Sequence, residues 1–204
     1  IGAVDGGTAT TDDAVMAGYG FQIDLNTSFT GEDSFDVSID AGNASTAGIS
    51  EFDLNSASET LTVDGISYTF PVGGATVLVG DTVDGSSLFT TACAYGGPSN
   101  TLDDCGNVNA AFVGSGTTLG ASYDFDNGFT AALGYAGAGD SVAGLMTQEG
   151  ADSYGGNVAY TADTYGVSVT YAMVEDSSGV DDTYTALNAY WTPDGFPSIS
   201  AGYE

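Results

Sequence analysis

Two arms of one short stretch alternate strictly in polarity. In Phe21–Asn43, Phe21, Ile23, Leu25 and Phe29 fall on odd positions, and Gln22, Asp24, Asn26 and Ser28 on even ones. After Thr30-Gly31-Glu32-Asp33 the pattern resumes, with Phe35, Val37, Ile39 and Ala41 odd and Ser34, Asp36, Ser38 and Asp40 even. Side chains alternate faces only along an extended strand, so this is a β-hairpin with one apolar and one polar face. The pattern recurs along the chain, which predicts an all-β fold of about ten strands. What the apolar face meets is the question that decides function.

The spacing of the strands narrows the answer. Tight turns near residues 31, 73, 127, 163 and 194 alternate with longer connections at 42–58, 84–109, 136–153 and 175–182. Asn127-Gly128, within Asp126-Asn127-Gly128, is a strong short-hairpin signal. Short turn, long loop, short turn is the pattern of an antiparallel up-and-down transmembrane β-barrel with short periplasmic turns and long outer loops. The first strand is expected to run from Val15 to Phe29.

Aromatic residues flank most of the short turns: Phe29 and Phe35, Phe70, Phe125 and Phe129, Tyr160 and Tyr165, Trp191 and Phe196. Tyr135, Tyr154, Tyr171, Tyr184 and Tyr203 lie nearer the far strand ends. Two such rows match the aromatic girdles at the rims of a membrane barrel; cross-strand pairing in any β-protein is the plainer alternative.

Charge excludes whole classes of function. The chain has 28 Asp plus Glu and no Lys, Arg or His, a formal charge of -28. Nothing can neutralise phosphates, so nucleic acid is not a partner. No Ser-His-Asp or Cys-His nucleophile and no Schiff-base lysine can be built, and the chain does not read as an enzyme. Buried carboxylates must find hydroxyls, amides, water or a metal ion instead of salt bridges. Disorder fits poorly, because hydrophobic residues make up 42% of the chain, with 12 Tyr and 10 Phe. No apolar run approaches the ~20 residues of a membrane helix.

The even positions yield the candidate site. With the odd face toward lipid, Gln22, Asp24, Asn26, Asp36, Asp40 and Asp124 are candidate pore-lining residues, and Asn157, Thr161, Ser168, Thr170 and Asn188 are polar-facing by the same alternation. A lumen with carboxylates and no bases favours cations; a solvated sheet face without transport is the alternative. Asp64 and Asp81 break the alternation, which predicts a bulge or a strand end. Asp12-Asp13, Glu32-Asp33, Asp103-Asp104 and Asp181-Asp182 are acidic loop pairs with oxygen ligands for Ca2+, although none has EF-hand spacing, and no other cofactor is expected.

Cys93 and Cys105 sit in the longest loop and read as a disulfide rather than free thiols, which implies an oxidising compartment. Such a bridge would stiffen a loop able to lie over or fold into a pore. The chain begins at Ile1 without a signal peptide and reads as a processed or partial product.

Several blocks in order, LNTSFTGED, SIDAGN, ISYTFPVGG, ACAYGGPSNTLDDCGN, YDFDNGFTAALGY and LNAYWTPDGFPSISAGYE, resemble the barrel domain of cyanobacterial outer-membrane porins, relatives of the OprB-type carbohydrate-selective porins. The likeness runs from about Gly18 to the end. It implies an outer-membrane barrel, usually a homotrimer in lipid and lipopolysaccharide, that passes small solutes and inorganic ions. Family members normally begin with a surface-layer-homology domain that binds the cell wall, and end with further strands. Residues 1–204 then correspond to a single barrel domain without those parts. The competing expectation is an acidic, secreted structural β-protein of a sheath, filament or surface layer at the cell exterior.

Overall fold

The hairpins form at the places where the backbone is given residues able to turn. Between β5 (Thr62–Val72) and β6 (Ala75–Asp81), Gly73 and Gly74 both take positive φ, 57° and 90°, the two-residue turn whose twist matches that of the flanking strands. Between β7 (Thr117–Asp124) and β8 (Phe129–Gly137), the Asp124 carboxylate accepts the Asp126 amide at 2.8 Å and Asn127 Oδ1 accepts the Phe129 amide at 3.1 Å, so the turn's own side chains satisfy its backbone. The computed structural model describes residues 2–5, 15–43, 59–94, 105, 107, 109–110, 116–139, 144–147, 150–175 and 181–204.

The remaining strands are β1 (Gly2–Asp5), β2 (Val15–Gly18), β3 (Gly20–Thr27), β4 (Ser34–Gly42), β9 (Asp152–Thr161), β10 (Tyr165–Glu175), β11 (Asp181–Trp191) and β12 (Ile199–Tyr203). β3 to β12 form one ten-stranded antiparallel sheet in which every neighbour in space is the neighbour in sequence. Among the described residues no pairing joins β3 to β12, and these two strands are the sheet's edges.

The expected single strand from Val15 to Phe29 is two. β2 pairs with β1 in a separate two-stranded sheet, and Tyr19, between Gly18 and Gly20, belongs to neither strand. Glycine has no side chain to pack in a pleat, and two of them here weaken continuity. The Asp181-Asp182 pair, expected in a loop, opens β11, where Asp181 pairs with Glu175 and Asp182 with Val174. The two exceptions to the alternation resolve as expected. Asp64 is the extra residue of a bulge, since Gly65 pairs with Ser38 and Val63 with the next residue, Ile39. Asp81 is the last residue of β6.

The faces are inverted relative to a water-soluble sheet. Ile23, Leu25, Val63, Leu119, Leu133, Val158, Val167, Val169 and Leu187 on one face are exposed, Leu133 at 69%. On the other face Thr118, Asn157, Ser168, Thr170 and Asn188 are buried. Among the described residues the largest fully buried side chains are Asn107, Thr118 and Thr170, all polar. Soluble sheets place the apolar face against the core and the polar face in water.

Candidate functional site

The polar face has two regions. Over β3 and β4 it is open and acidic. Asp24 accepts from Gln22 Nε2 at 2.6 Å and from Ser38 Oγ at 2.7 Å, on the paired strand. Asp36 accepts from Asn26 Nδ2 and from Ser34 Oγ, the latter at 2.6 Å. Asp40, nearly buried, accepts from Thr62 Oγ1 of β5 at 2.8 Å. Every donor is a neutral amide or hydroxyl, so each carboxylate is held in place while its charge stays uncancelled. The bulge sets Asp64 between Val63 and Gly65, opposite Ile39 and Ser38 and beside the Asp40–Thr62 pair. Five of the six candidate pore-lining residues, Gln22, Asp24, Asn26, Asp36 and Asp40, therefore sit together, and Asp64 joins them. The sixth, Asp124, stands apart at the end of β7, where it caps a turn.

Over β7 to β12 the polar face is covered by the connection that follows β6. Its backbone is bound strand by strand. The Thr90 amide donates to Asn157 Oδ1 on β9 at 3.0 Å, the Ala92 amide to Ser168 Oγ on β10 at 2.9 Å, and the Ala94 amide to Ser200 Oγ on β12 at 2.8 Å. On β11, Asn188 Nδ2 donates to the Cys105 carbonyl at 2.7 Å. The carboxylate of Glu204 accepts the backbone amides of Asn109 and Ala110. Cys93 and Cys105 form the expected disulfide, with Cα atoms 6.2 Å apart. Two glycines make room. A Cβ at Gly134 would collide with the Gly85 carbonyl, and one at Gly202 with the Cys105 carbonyl.

The alternation placed Asn157, Ser168 and Asn188 on this face. It did not reveal that they bind the backbone of a crossing segment. A signal was present. Inward positions of β7 to β12 are small, among them Gly120, Ala132, Gly134, Ala136, Gly155, Ala159, Ala172 and Ala186, and small residues leave space for a chain. Phe89 and Ala110 of the connection pack into that space against Ala136, Ala172 and Ala186.

Aromatic rings border the short-turn end on the exposed side. Phe29 lies 6.0 Å from both Phe35 and Tyr68, and Tyr68 lies 5.1 Å from Phe70. Farther along, Tyr123 meets Phe125 at 4.9 Å, Phe129 meets Tyr160 at 4.8 Å and Tyr160 meets Tyr165 at 5.7 Å. Tyr165 pairs with Trp191, and Phe196 is 76% exposed beyond it. At the other end Tyr135 pairs with Tyr154, and Tyr171 and Tyr203 are exposed.

The acidic pairs do not make a metal centre among the described residues, where no group of three or more His, Cys, Asp or Glu side chains is placed to hold an ion. At Glu32-Asp33 the Asp33 carboxylate is taken up by its own turn: Oδ1 accepts from Ser28 Oγ and the Phe29 and Thr30 amides, and Oδ2 from Tyr68 at 2.6 Å. These donors, Ser28 first and then Tyr68, hold Asp33 well below the usual carboxylate range. Asp12-Asp13 and Asp103-Asp104 lie outside the described residues. No family model, curated protein or solved structure matches this chain.

Proposed function

We propose that this chain forms the wall of an outer-membrane, porin-like β-barrel through which small solutes and inorganic cations diffuse passively. The inverted burial carries the reading. An apolar face of Ile, Leu and Val exposed along strand after strand needs a non-aqueous surrounding, and lipid provides one without a shape-matched protein partner. The aromatic rows then lie at the two headgroup levels, with Phe29, Phe35, Phe70, Phe125, Phe129, Tyr160, Tyr165, Trp191 and Phe196 beside short periplasmic turns. The acidic patch of Asp24, Asp36, Asp40 and Asp64 becomes lumen wall and favours cations. The disulfide-linked connection lies inside and narrows the passage. No step of this reading needs catalysis.

Hydrocarbon tolerates no unpaired sheet edge, so β3 and β12 must be paired in the membrane, and closure on each other is the simplest solution. A wall closed from these ten strands alone, with a segment inside, would leave room for small ions rather than for a wide sugar pore. The resemblance to cyanobacterial porins agrees with this reading and adds lipopolysaccharide contact and a homotrimer to the proposal. A single observation favours the alternative of a secreted sheath, filament or surface layer: the two open edges are also where copies could add strand to strand.

Conductance in planar bilayers separates the readings. Discrete channels with a reversal potential on the cation side support the pore. Absence of channels, together with ordered polymers in calcium, overturns it.

A further inference from the structure

At the long-loop end of the sheet, on the apolar side, a cavity of about 520 Å3 is lined by Tyr135, Met146, Thr147, Asp152, Tyr154 and Glu175. Asp152 is 2% exposed, and its Oδ1 accepts the Tyr135 hydroxyl. Its Oδ2 is buried and has no hydrogen-bond donor among the described residues. A desolvated carboxylate oxygen without a donor is costly. The pair is nonetheless built in: the position opposite Asp152 is Gly137, and a Cβ there would collide with both Asp152 Oδ1 and the Tyr135 hydroxyl. Glu175, one residue past the last β9–β10 pair, Val174 with Ser153, adds a second carboxylate. Tyr135 and Tyr154 are cross-strand partners and supply two aromatic rings, and Met146 a thioether.

The chain contains no Lys, Arg or His, so no side chain of its own can supply the missing cation. We propose that this cavity binds a primary alkylammonium ion: a turn of the Asp152 carboxylate brings Oδ2 to the ligand's N–H, and the charge rests between Asp152, Glu175 and the tyrosine rings. The lining distinguishes this ligand from its competitors. Ca2+ takes six to eight oxygen ligands, usually with several carboxylates, and among the described residues no group of three or more His, Cys, Asp or Glu side chains is placed to hold an ion. A quaternary ammonium has no N–H for the orphan oxygen. Carboxylate, aromatic rings and a few hundred cubic ångströms suit a small organic cation. The site lies on the opposite face from the acidic wall, and the inference stands whether or not the protein conducts.

Two sources present this chemistry: a free amine and the ethanolamine headgroup of a lipid. The test is calorimetric titration of the folded protein in detergent with propylammonium, with tetramethylammonium in parallel. Saturable binding of propylammonium is expected, weakened about tenfold in Asp152→Asn and several-fold in Tyr154→Leu, and unchanged in Asp194→Asn, which alters an exposed turn charge elsewhere. Glu175→Gln gives the same reading should Asp152→Asn fail to fold. In nanodiscs, loss of propylammonium affinity on adding phosphatidylethanolamine to phosphatidylglycerol identifies the headgroup as ligand; undiminished affinity identifies a free amine. Equal binding of the two ammonium ions, wild-type affinity in both carboxylate variants, binding of calcium in place of the amine, or no saturable binding overturns the proposal.

Discussion

The amide of Thr90 donates to Oδ1 of Asn157 across 67 residues of sequence, at 3.0 Å. With the Ala92–Ser168 bond, it fastens the connection after β6 to the polar face of β9 and β10. Both acceptors are side chains, and both donors are backbone amides, that of Ala92 buried and that of Thr90 partly so. Asn157→Leu with Ser168→Val removes both acceptors and leaves a buried Ala92 N–H, at a cost of roughly 1–3 kcal/mol for each orphaned group. In the proposed pore the segment then leaves the wall. Single-channel conductance should rise well above wild type and become noisy. Unchanged conductance would mean that this segment does not narrow the path.

The disulfide acts on the same segment differently. Cys93 and Cys105 close a short loop, and loss of the bridge should lower the unfolding free energy by about 3 kcal/mol. The hydrogen bonds at Ala92, Ala94 and Cys105 survive reduction, since none uses a sulfur. Reduced protein is therefore expected to unfold at lower urea yet conduct nearly as the oxidised form does. A large conductance jump on reduction would show that the bridge alone holds the segment.

The hairpins were legible because their signals are local. Asn127-Gly128 and Gly73-Gly74 turn where their chemistry predicts, and Asp64 announced its bulge by standing on the wrong parity. Alternation also separated the apolar from the polar residues of β3 and β4, since it depends only on neighbouring side chains. The break at Tyr19 was missed, because Val15 to Phe29 keeps its apolar residues through two flanking glycines. The cysteine loop was expected to lie over or fold into a pore, but the places where it docks were not legible. Its contacts are backbone amides meeting side chains 67 to 106 residues away, and no local pattern encodes such a pairing. The donorless Asp152 Oδ2 is likewise a property of assembled strands, invisible in the residues around it.

Adjacent residues on opposite faces provide a direct test of the membrane assignment. Ile23 is 44% exposed on the apolar side, and Asp24 is hydrogen-bonded on the polar side. Ile23→Asp puts a charge toward lipid, at a cost of up to about 2 kcal/mol near the midplane. Asp24→Asn keeps an acceptor for Gln22 and Ser38 and should change stability by less than about 0.5 kcal/mol. Heat-modifiable mobility in gels, a measure of folded barrel, should fall for the first variant and hold for the second. The second should also shift the reversal potential toward weaker cation preference. Equal tolerance of both substitutions would reverse or abolish the assigned faces.

Asp33 makes the first short turn sensitive to acid. Its carboxylate gathers the Ser28 hydroxyl, two backbone amides and the Tyr68 hydroxyl, which favour the charged form and lower its pKa. A carboxylate whose pKa is lower folded than unfolded stabilises the fold above the unfolded value of about 3.9, and that contribution is lost as pH falls toward the folded value. Protonation relieves repulsion among the other carboxylates over the same range, so the useful quantity is the difference from a variant. Asp33→Ala should be less stable than wild type at about pH 7, and the gap should narrow steadily below about pH 4. Tyr68→Phe removes one donor and should show a smaller gap with the same pH course. Urea unfolding in detergent, followed by tryptophan fluorescence at several pH values, measures both. A gap that stays constant down to the lowest pH would show that Asp33 supports the turn by shape rather than by charge.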